Sequence, residues 1–231
     1  MFGWYIDPVY FWYVFIPTML ISIGVQVYLR STFSKWSNVK NSSGFVGPQV
    51  AQRLFDRISL QPISVERIRG SMTDHFDPGA NVVRLSDPVA TKPSVASMAV
   101  TAHELGHVQQ YQTGSGLIKV RGFLLPALQF SPTISYIAIL FGLWFNMTGL
   151  LWLGILFFAL MVLFSILTLP VEIDASRRGT KLLQEAGLMQ AESDAQGSRA
   201  VLTAAALTYL AAAITSILQL LYYVSVANRR G

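Results

Sequence analysis

The sequence predicts a mainly α fold: an integral-membrane helical bundle of about four spans, with a small α+β segment on one side of it. Three observations predict it. Hydrophobic residues make up 52% of the 231 and charged residues only 13%, about half the ~25% usual in a soluble domain. The apolar residues are gathered into long uncharged tracts. The polar residues are gathered into two blocks, 31–120 and 170–199, so the whole chain 1–231 reads as a single domain of spans and intervening polar segments. This composition excludes disorder and disfavours an ordinary water-soluble enzyme. The chain has 0 Cys, which excludes a disulfide scaffold, thiolate metal sites and a cysteine nucleophile.

Val9 to Leu29 carries no charge and is long enough to cross about 30 Å of hydrocarbon. Its N-terminal flank has Asp7 and no Lys or Arg, so it lacks the basic start of a cleaved signal peptide. Trp4, Tyr5, Tyr10, Trp12 and Tyr13 cluster there as an interfacial aromatic belt would. It reads as a retained anchor, residues 9–29. Ser131 to Leu169 is too long for one span and suits two, 131–147 and 150–169, split near Asn146-Met147-Thr148-Gly149. The last tract, 200–226, has an Ala-rich middle and reads as a fourth span or a long buried helix.

The basic residues orient the bundle. Arg30, Lys35, Lys40, Lys119, Arg121, Arg177, Arg178, Lys181 and Arg199 all fall on one side of a four-span chain. By the positive-inside rule that side is cytoplasmic, which places the protein in the cell membrane. Arg229 and Arg230 are the one discord. The net charge of +5 follows from this sorting, so no nucleic-acid partner is expected. The expected partners are the lipid bilayer and a peptide or protein substrate, for reasons that follow.

In the polar block, Asn41-Ser42-Ser43-Gly44 is a turn. Pro48 starts a helix to about Leu60, with Val50, Leu54 and Ile58 on one face. Strand-like runs follow at Ile63–Ile68 and Asn81–Ser86, with Asp74–Gly79 between them read as a turn. Pro93 opens a second helix, to about Gln112. After the third span a helix runs to about Ala186, capped by Gly187. Ser193-Asp194-Ala195-Gln196 fits a capping box for the last helix.

The second polar-block helix contains His103-Glu104-Leu105-Gly106-His107, an H-E-x-x-H pattern. Residues four apart share a helix face, so both imidazoles can bind one zinc ion. Glu104 can reach a metal-bound water and act as general base when that water attacks a carbonyl. Two of the chain's 3 His sit in this motif. Gly106 costs a helix roughly 1 kcal/mol relative to alanine. Its presence suits close approach of another backbone, with the sheet strand as the candidate.

A catalytic zinc needs a third protein ligand. Glu172 is the best candidate. Spans two and three form a hairpin, so the chain returns to the side it left and Glu172 lands level with the His pair. Asp174 competes with it. His75 is either an oxyanion-stabilising group facing the metal or a turn residue held by Asp74 and Asp77. The Asn81–Ser86 strand either receives an extended substrate by strand addition or is an ordinary internal strand.

These residues carry a resemblance. Asn41-Ser42-Ser43-Gly44, Thr73-Asp74-His75-Phe76-Asp77-Pro78, Val83-Arg84-Leu85-Ser86, Ala102 to His107, and Val171-Glu172-Ile173-Asp174-Ala175-Ser176-Arg177-Arg178 resemble the membrane zinc metallopeptidases of the YugP type, also described as neutral zinc metallopeptidases. The resemblance spans most of the chain. It implies a zincin-like segment around the H-E-x-x-H helix and a glutamate third ligand on a later helix. Related zincins often carry an Asp four residues after that Glu, supporting a zinc-binding His. Here that position is Ser176, and Asp174 or Ser176 takes up the role.

The expected function is a zinc-dependent, membrane-embedded endopeptidase. His103, His107 and Glu172 bind zinc, Glu104 is the base and His75 a further catalytic candidate. The site faces the cytoplasm, near the membrane surface. Lys119 to Leu125, basic and then apolar, reads as an interfacial segment beside it, which suits a membrane-associated substrate. One alternative is a catalytically silent, zinc-bound scaffold that regulates partners, for which an intact Glu104 has no use. A transporter is disfavoured because the spans hold no ionisable residues.

Overall fold

The computed structural model describes residues 7–230, without the side chain of Ala127. Trp4 and Tyr5 of the expected aromatic belt lie outside the described residues. The fold is mainly helical. Its elements are α1 (Pro8–Tyr10), a π-helical turn (Phe11–Phe15), α2 (Ile16–Ser37), α3 (Gly47–Arg57), β1 (Ser64–Ile68), β2 (His75–Asp77), β3 (Val82–Ser86), α4 (Asp87–Thr91), α5 (Val95–Gln112), α6 (Gly116–Trp144), α7 (Thr148–Glu185) and α8 (Glu192–Asn228). The chain divides into two compact units. One takes the described residues up to Gln26, Lys119–Leu169 and Thr208 onward, and the other takes Val27–Ile118 and Pro170–Leu207.

Among the described residues, three helices are long and apolar enough to cross a membrane: Pro8–Ser37, Thr148–Glu185 and Glu192–Asn228. A fourth candidate, Gly116–Pro126 with Leu128–Trp144, is bent by 50°. Pro126 accounts for the break, because proline has no N–H and its ring clashes with the carbonyl four residues back. The Ala-rich last tract is therefore one of the unbroken candidates, and the interruption falls in residues 116–144 instead. The hairpin between α6 and α7 turns where the sequence places it. Asn146 sits at φ 54°, in the left-handed region, which Asn tolerates better than most residues.

Within the first unit, small residues set the helix spacing. A Cβ on Gly154 would stand 2.8 Å from the Ile139 nitrogen, and Ser135 Oγ donates to the Gly154 carbonyl at 3.0 Å. Such positions let helices approach closely without a side chain between them. Asp7 caps α1 by accepting from Val9 N at 2.9 Å. Its carboxylate also accepts from Tyr222 Oη at 3.1 Å and lies 3.5 Å from Arg229. Arg230 donates to the Leu143 carbonyl at 3.0 Å. The two discordant arginines thus have local partners.

The second unit holds a three-stranded sheet in the order β1-β3-β2. β1 runs parallel to β3, pairing Val65 with Val83, and β2 runs antiparallel, pairing Phe76 with Val83. One expectation is corrected here, and one open pair of readings is decided in favour of the internal strand. Residues 75–77 are a strand rather than part of a turn: Phe76 packs edge-on against Tyr111 at 5.7 Å, and Arg84 of β3 binds Asp77 at 2.8 Å. The turn shrinks to the residues after Asp77, whose Oδ1 accepts from Gly79 N and Ala80 N. Also, β3 is the central strand with a neighbour on each side, so it has no free edge for a substrate. Its Val82, Val83, Leu85 and Ser86 are buried, as a covered central strand requires.

The core of this unit joins Val50 and Leu54 of α3, Val83 and Leu85 of β3, Met98 and Leu105 of α5, Leu182 and Leu183 of α7, and Leu202 of α8. Asn41, only 2% exposed, ties the loop before α3 to the start of α5. Its amide donates to the Ser94 carbonyl at 3.0 Å and to the Phe45 carbonyl at 2.8 Å. Its Oδ1 accepts from Phe45 N at 3.1 Å. Ser94, not Pro93, begins α5: its hydroxyl accepts from Ser97 N at 3.1 Å. Asp194 plays a similar part at α8. It lies at the third helical position, accepts from Ala191 N at 3.1 Å, and binds the Ser42 hydroxyl. The helix cap is thus Ala191, two residues before the Ser193 that the sequence suggests.

Asn41→Ala leaves buried backbone groups at Ser94 and Phe45 without their partners. It is expected to cost about 2–3 kcal/mol of stability, read as a lower unfolding midpoint of the purified protein in detergent. Asn41→Asp, which keeps the acceptor but turns a buried carboxylate oxygen toward the Ser94 and Phe45 carbonyls, should lose at least as much.

Candidate metal centre

α5 is buried on nearly all sides. Val95, Met98, Ala102, Leu105 and Val108 are fully covered, and Glu104 and His107 are 6% and 9% exposed. A helix covered all round lies at the centre of its unit. Its i, i+4 spacing puts both imidazoles on one face, with ring centroids 4.7 Å apart.

The same face meets α7 at very short range. A Cβ on Gly106 would collide with the Ala175 carbonyl, and one on Gly179 would stand 2.5 Å from the Ala102 carbonyl oxygen. Ala102 and Gly106 on α5 therefore oppose Gly179 and Ala175 on α7, running antiparallel. Each helix offers two small residues four apart, so the backbones touch. The close approach foreseen at Gly106 is real, but its partner is helix α7 and not the sheet strand.

This crossing brings Glu172 to the histidines. Glu172 Oε2 lies 3.3 Å from His103 Nε2 and 3.3 Å from His107 Nε2. One ligand atom from each of the three residues falls within 4.8 Å of the others. His75 is not in this group. Its Nδ1 is 2.9 Å from the Thr73 carbonyl, and its Nε2 is 3.5 Å from Arg84. Asp174 is not in it either. Its Oδ2 accepts from Gln110 Nε2 at 2.7 Å and pairs with Arg178 at 2.7 Å.

The far side of each imidazole is also held. Ser176 Oγ is 3.1 Å from His103 Nδ1, and Gln110 Oε1 is 3.0 Å from His107 Nδ1. With Nδ1 engaged on both rings, both Nε2 atoms point at the Glu172 carboxylate. Two imidazole nitrogens and a carboxylate oxygen converging in a buried space suit a cation, and their chemistry suits zinc. Supporting bonds of this kind orient metal-binding histidines. Ser176, four residues after Glu172, is thus the side chain that holds His103. Sequence reasoning missed Gln110. The available signal was a polar residue one helical turn after His107, on the same buried face.

Glu104 neighbours the group. Among the described residues its carboxylate makes no hydrogen bond or ion pair. Burial raises its pKa, His103 and His107 oppose the rise, and Asp74 and Glu172 add to it. Asp74 is raised by its own burial, although its oxygens accept from Ser86 N at 2.7 Å and Ser86 Oγ at 2.8 Å. A buried carboxylate with a raised pKa takes up a proton more readily than a solvated one.

Comparison with known proteins adds to this geometry. A family model described as "Putative neutral zinc metallopeptidase" matches residues 11–228. The chain is also similar to the "Putative membrane protease YugP" of Bacillus subtilis (strain 168). The two are 37% identical over 216 residues, 94% of this chain and 96% of that one. No solved structure matches.

The helix crossing yields a stability prediction. Gly106→Ala or Gly179→Ala must push α5 and α7 apart, at about 1–3 kcal/mol for the overpacking. Each should lower the thermal midpoint. Gly122→Ala, where nothing lies within 4 Å of the new Cβ, should leave it unchanged or slightly raised. Equal effects at all three positions would contradict the close crossing.

Proposed function

The chain belongs to the "Putative neutral zinc metallopeptidase" family, and we propose that it is a zinc-dependent, membrane-embedded endopeptidase working as one domain. The observation that carries this reading is the convergence of His103 Nε2, His107 Nε2 and Glu172 Oε2 beside a buried Glu104. His103, His107 and Glu172 are the zinc ligands. Zinc held there supplies a Lewis acid that makes water a usable nucleophile at neutral pH. Glu104 takes the proton from the attacking water and passes it to the departing amine. The ring supports at Ser176 and Gln110 keep both imidazoles in place during the reaction.

His75 carries two readings. As a donor it stabilises the oxyanion of the tetrahedral intermediate. As a structural residue it holds its loop through the bond to Thr73. His75→Ala separates them: the first role predicts a fall in kcat with zinc content unchanged, the second a fall in stability.

The substrate class is a peptide or protein that is itself membrane-associated. With four spans, α6 being the bent one, the basic residues lie on the cytoplasmic side by the positive-inside rule. The proposed site, in a zincin-like segment around α5, faces the cytoplasm as well. The pairing of Arg229 with Asp7 supports this orientation, because it compensates a positive charge on the opposite face. The alternative, a zinc-bound scaffold without activity, is separated by Glu104 itself.

Two experiments test this. Purified wild type should hold about one zinc per chain. Glu172→Ala should lose it and Asp174→Ala should keep it. Glu104→Gln should keep zinc and lose cleavage of a membrane-tethered peptide by at least about 100-fold. Undiminished cleavage by Glu104→Gln would sink the mechanism, and zinc without cleavage in wild type would favour the scaffold. The chain has 0 Cys, so single cysteines report topology cleanly. In intact cells, Met147→Cys should react with an impermeant thiol reagent, and Lys181→Cys should react only after the membrane is opened.

A further inference from the structure

We propose that Gln110 is a positioning residue, a side-chain clamp that sets which nitrogen of His107 is free to bind metal. The inference rests on the metal-centre reading above and names a part that the H-E-x-x-H pattern does not contain. Gln110 is fully buried, and a buried side-chain amide must have its donors and acceptor satisfied. Its Nε2 donates to the Val171 carbonyl at 2.9 Å and to Asp174 Oδ2 at 2.7 Å. Both partners are acceptors, so the amide has one satisfied orientation. Turned around, Oε1 would face a carbonyl and a carboxylate, with no proton between them.

That orientation dictates the rest. Oε1 points at His107 Nδ1, 3.0 Å away, and can only accept. His107 Nδ1 must therefore carry the proton, which leaves the Nε2 lone pair facing Glu172 Oε2 and the metal position. The choice of tautomer is made outside the ligand set. Asp174 in turn is held by Arg178, whose Nη1 lies 3.4 Å from Gln109 Oε1. The chain Arg178–Asp174–Gln110–His107 thus crosses from α7 to α5 and back to the ligand. It also gives Asp174, the rejected ligand candidate, a definite role. His103 has its own support in Ser176, so the Gln110 clamp acts on one ligand only.

The test uses the whole protein in detergent, with 15N-labelled histidine. Only 3 His are present, so three ring systems are seen, and His75→Ala identifies one. In metal-free wild type, at a pH above the raised imidazolium range of His107, its ring is expected to show a protonated Nδ1 and an unprotonated Nε2. In Gln110→Leu the two tautomers should mix, and zinc affinity, measured by chelator competition, should fall about 10- to 100-fold. Gln110→Glu combined with Asp174→Asn exchanges donor and acceptor across the Gln110–Asp174 contact and keeps an acceptor on His107, at the loss of the bond to the Val171 carbonyl. It should hold the Nδ1-protonated tautomer, which a merely space-filling role for Gln110 would not do, with zinc affinity above that of Gln110→Leu. Gln110→Leu with wild-type zinc affinity and an unmixed His107 tautomer overturns the inference. If Gln110→Leu does not fold, the double variant decides alone: loss of the tautomer there overturns it. Wild type that takes up no zinc but shows the clamped tautomer would refute the metal-centre reading and leave the clamp standing.

Discussion

The candidate site depends on one contact, the backbone-to-backbone crossing of α5 and α7. Ala102 and Gly106 face Gly179 and Ala175, and no side chain fits between them. Glu172 lies 65 residues beyond His107 along the chain, yet its carboxylate reaches both imidazoles. A glutamate has a short reach, so two helices at ordinary separations of 8–10 Å would hold it too far away. The small residues remove that distance. They also fix the register, because a one-residue slip of α7 would turn Glu172 by about 100° away from the histidines. The two glycines cost helix propensity of about 1 kcal/mol each, and the packing they permit sets the geometry of the ligands.

The second constraint is that this unit ties several of its buried polar side chains into linked pairs. Asn41 serves the start of α5, Asp194 serves the start of α8 and Ser42 together, and Gln110 serves His107. An unpaired buried polar group costs about 1–3 kcal/mol, so each is tied to the element that it positions. The loop at residues 41–44 is therefore structural. It holds the N-terminal end of the helix whose later turns carry the metal ligands, and its links to Ser94 and Asp194 join α5 and α8.

Much of this was legible in the sequence because the governing signals are local. Uncharged length marks the apolar helices, and spacing of four marks the His pair. Glu172 was reachable by a topological argument, since a hairpin returns the chain to its starting level. Relationships across space were less legible. β2 is three residues long and its pattern resembles a turn, because Asp74 and Asp77 are turn-formers whose carboxylates here bind Ser86 and Arg84. The central place of β3 depends on β1 running parallel to it, which no local pattern encodes. Gly106 announced a close neighbour but not which one. Nothing in the sequence marks Gln110 as buried, since only the fold reveals that its helix face is covered by α7.

The broken helix follows the same logic. Residues 116–144 are apolar enough for a span, and hydropathy ignores backbone hydrogen bonding. Pro126 removes one donor and crowds the carbonyl of Gly122, so the first turns and the rest cannot share one axis. What precedes the break carries Lys119 and Arg121 among exposed Leu117, Val120 and Phe123. Side chains of that mixture gain by lying where apolar and charged groups can each find their own solvent, at an interface rather than in hydrocarbon. The break at Pro126 leaves Leu128–Trp144 as the straight part of this candidate. Composition alone could count the apolar residues here, but the proline decides where the axis turns.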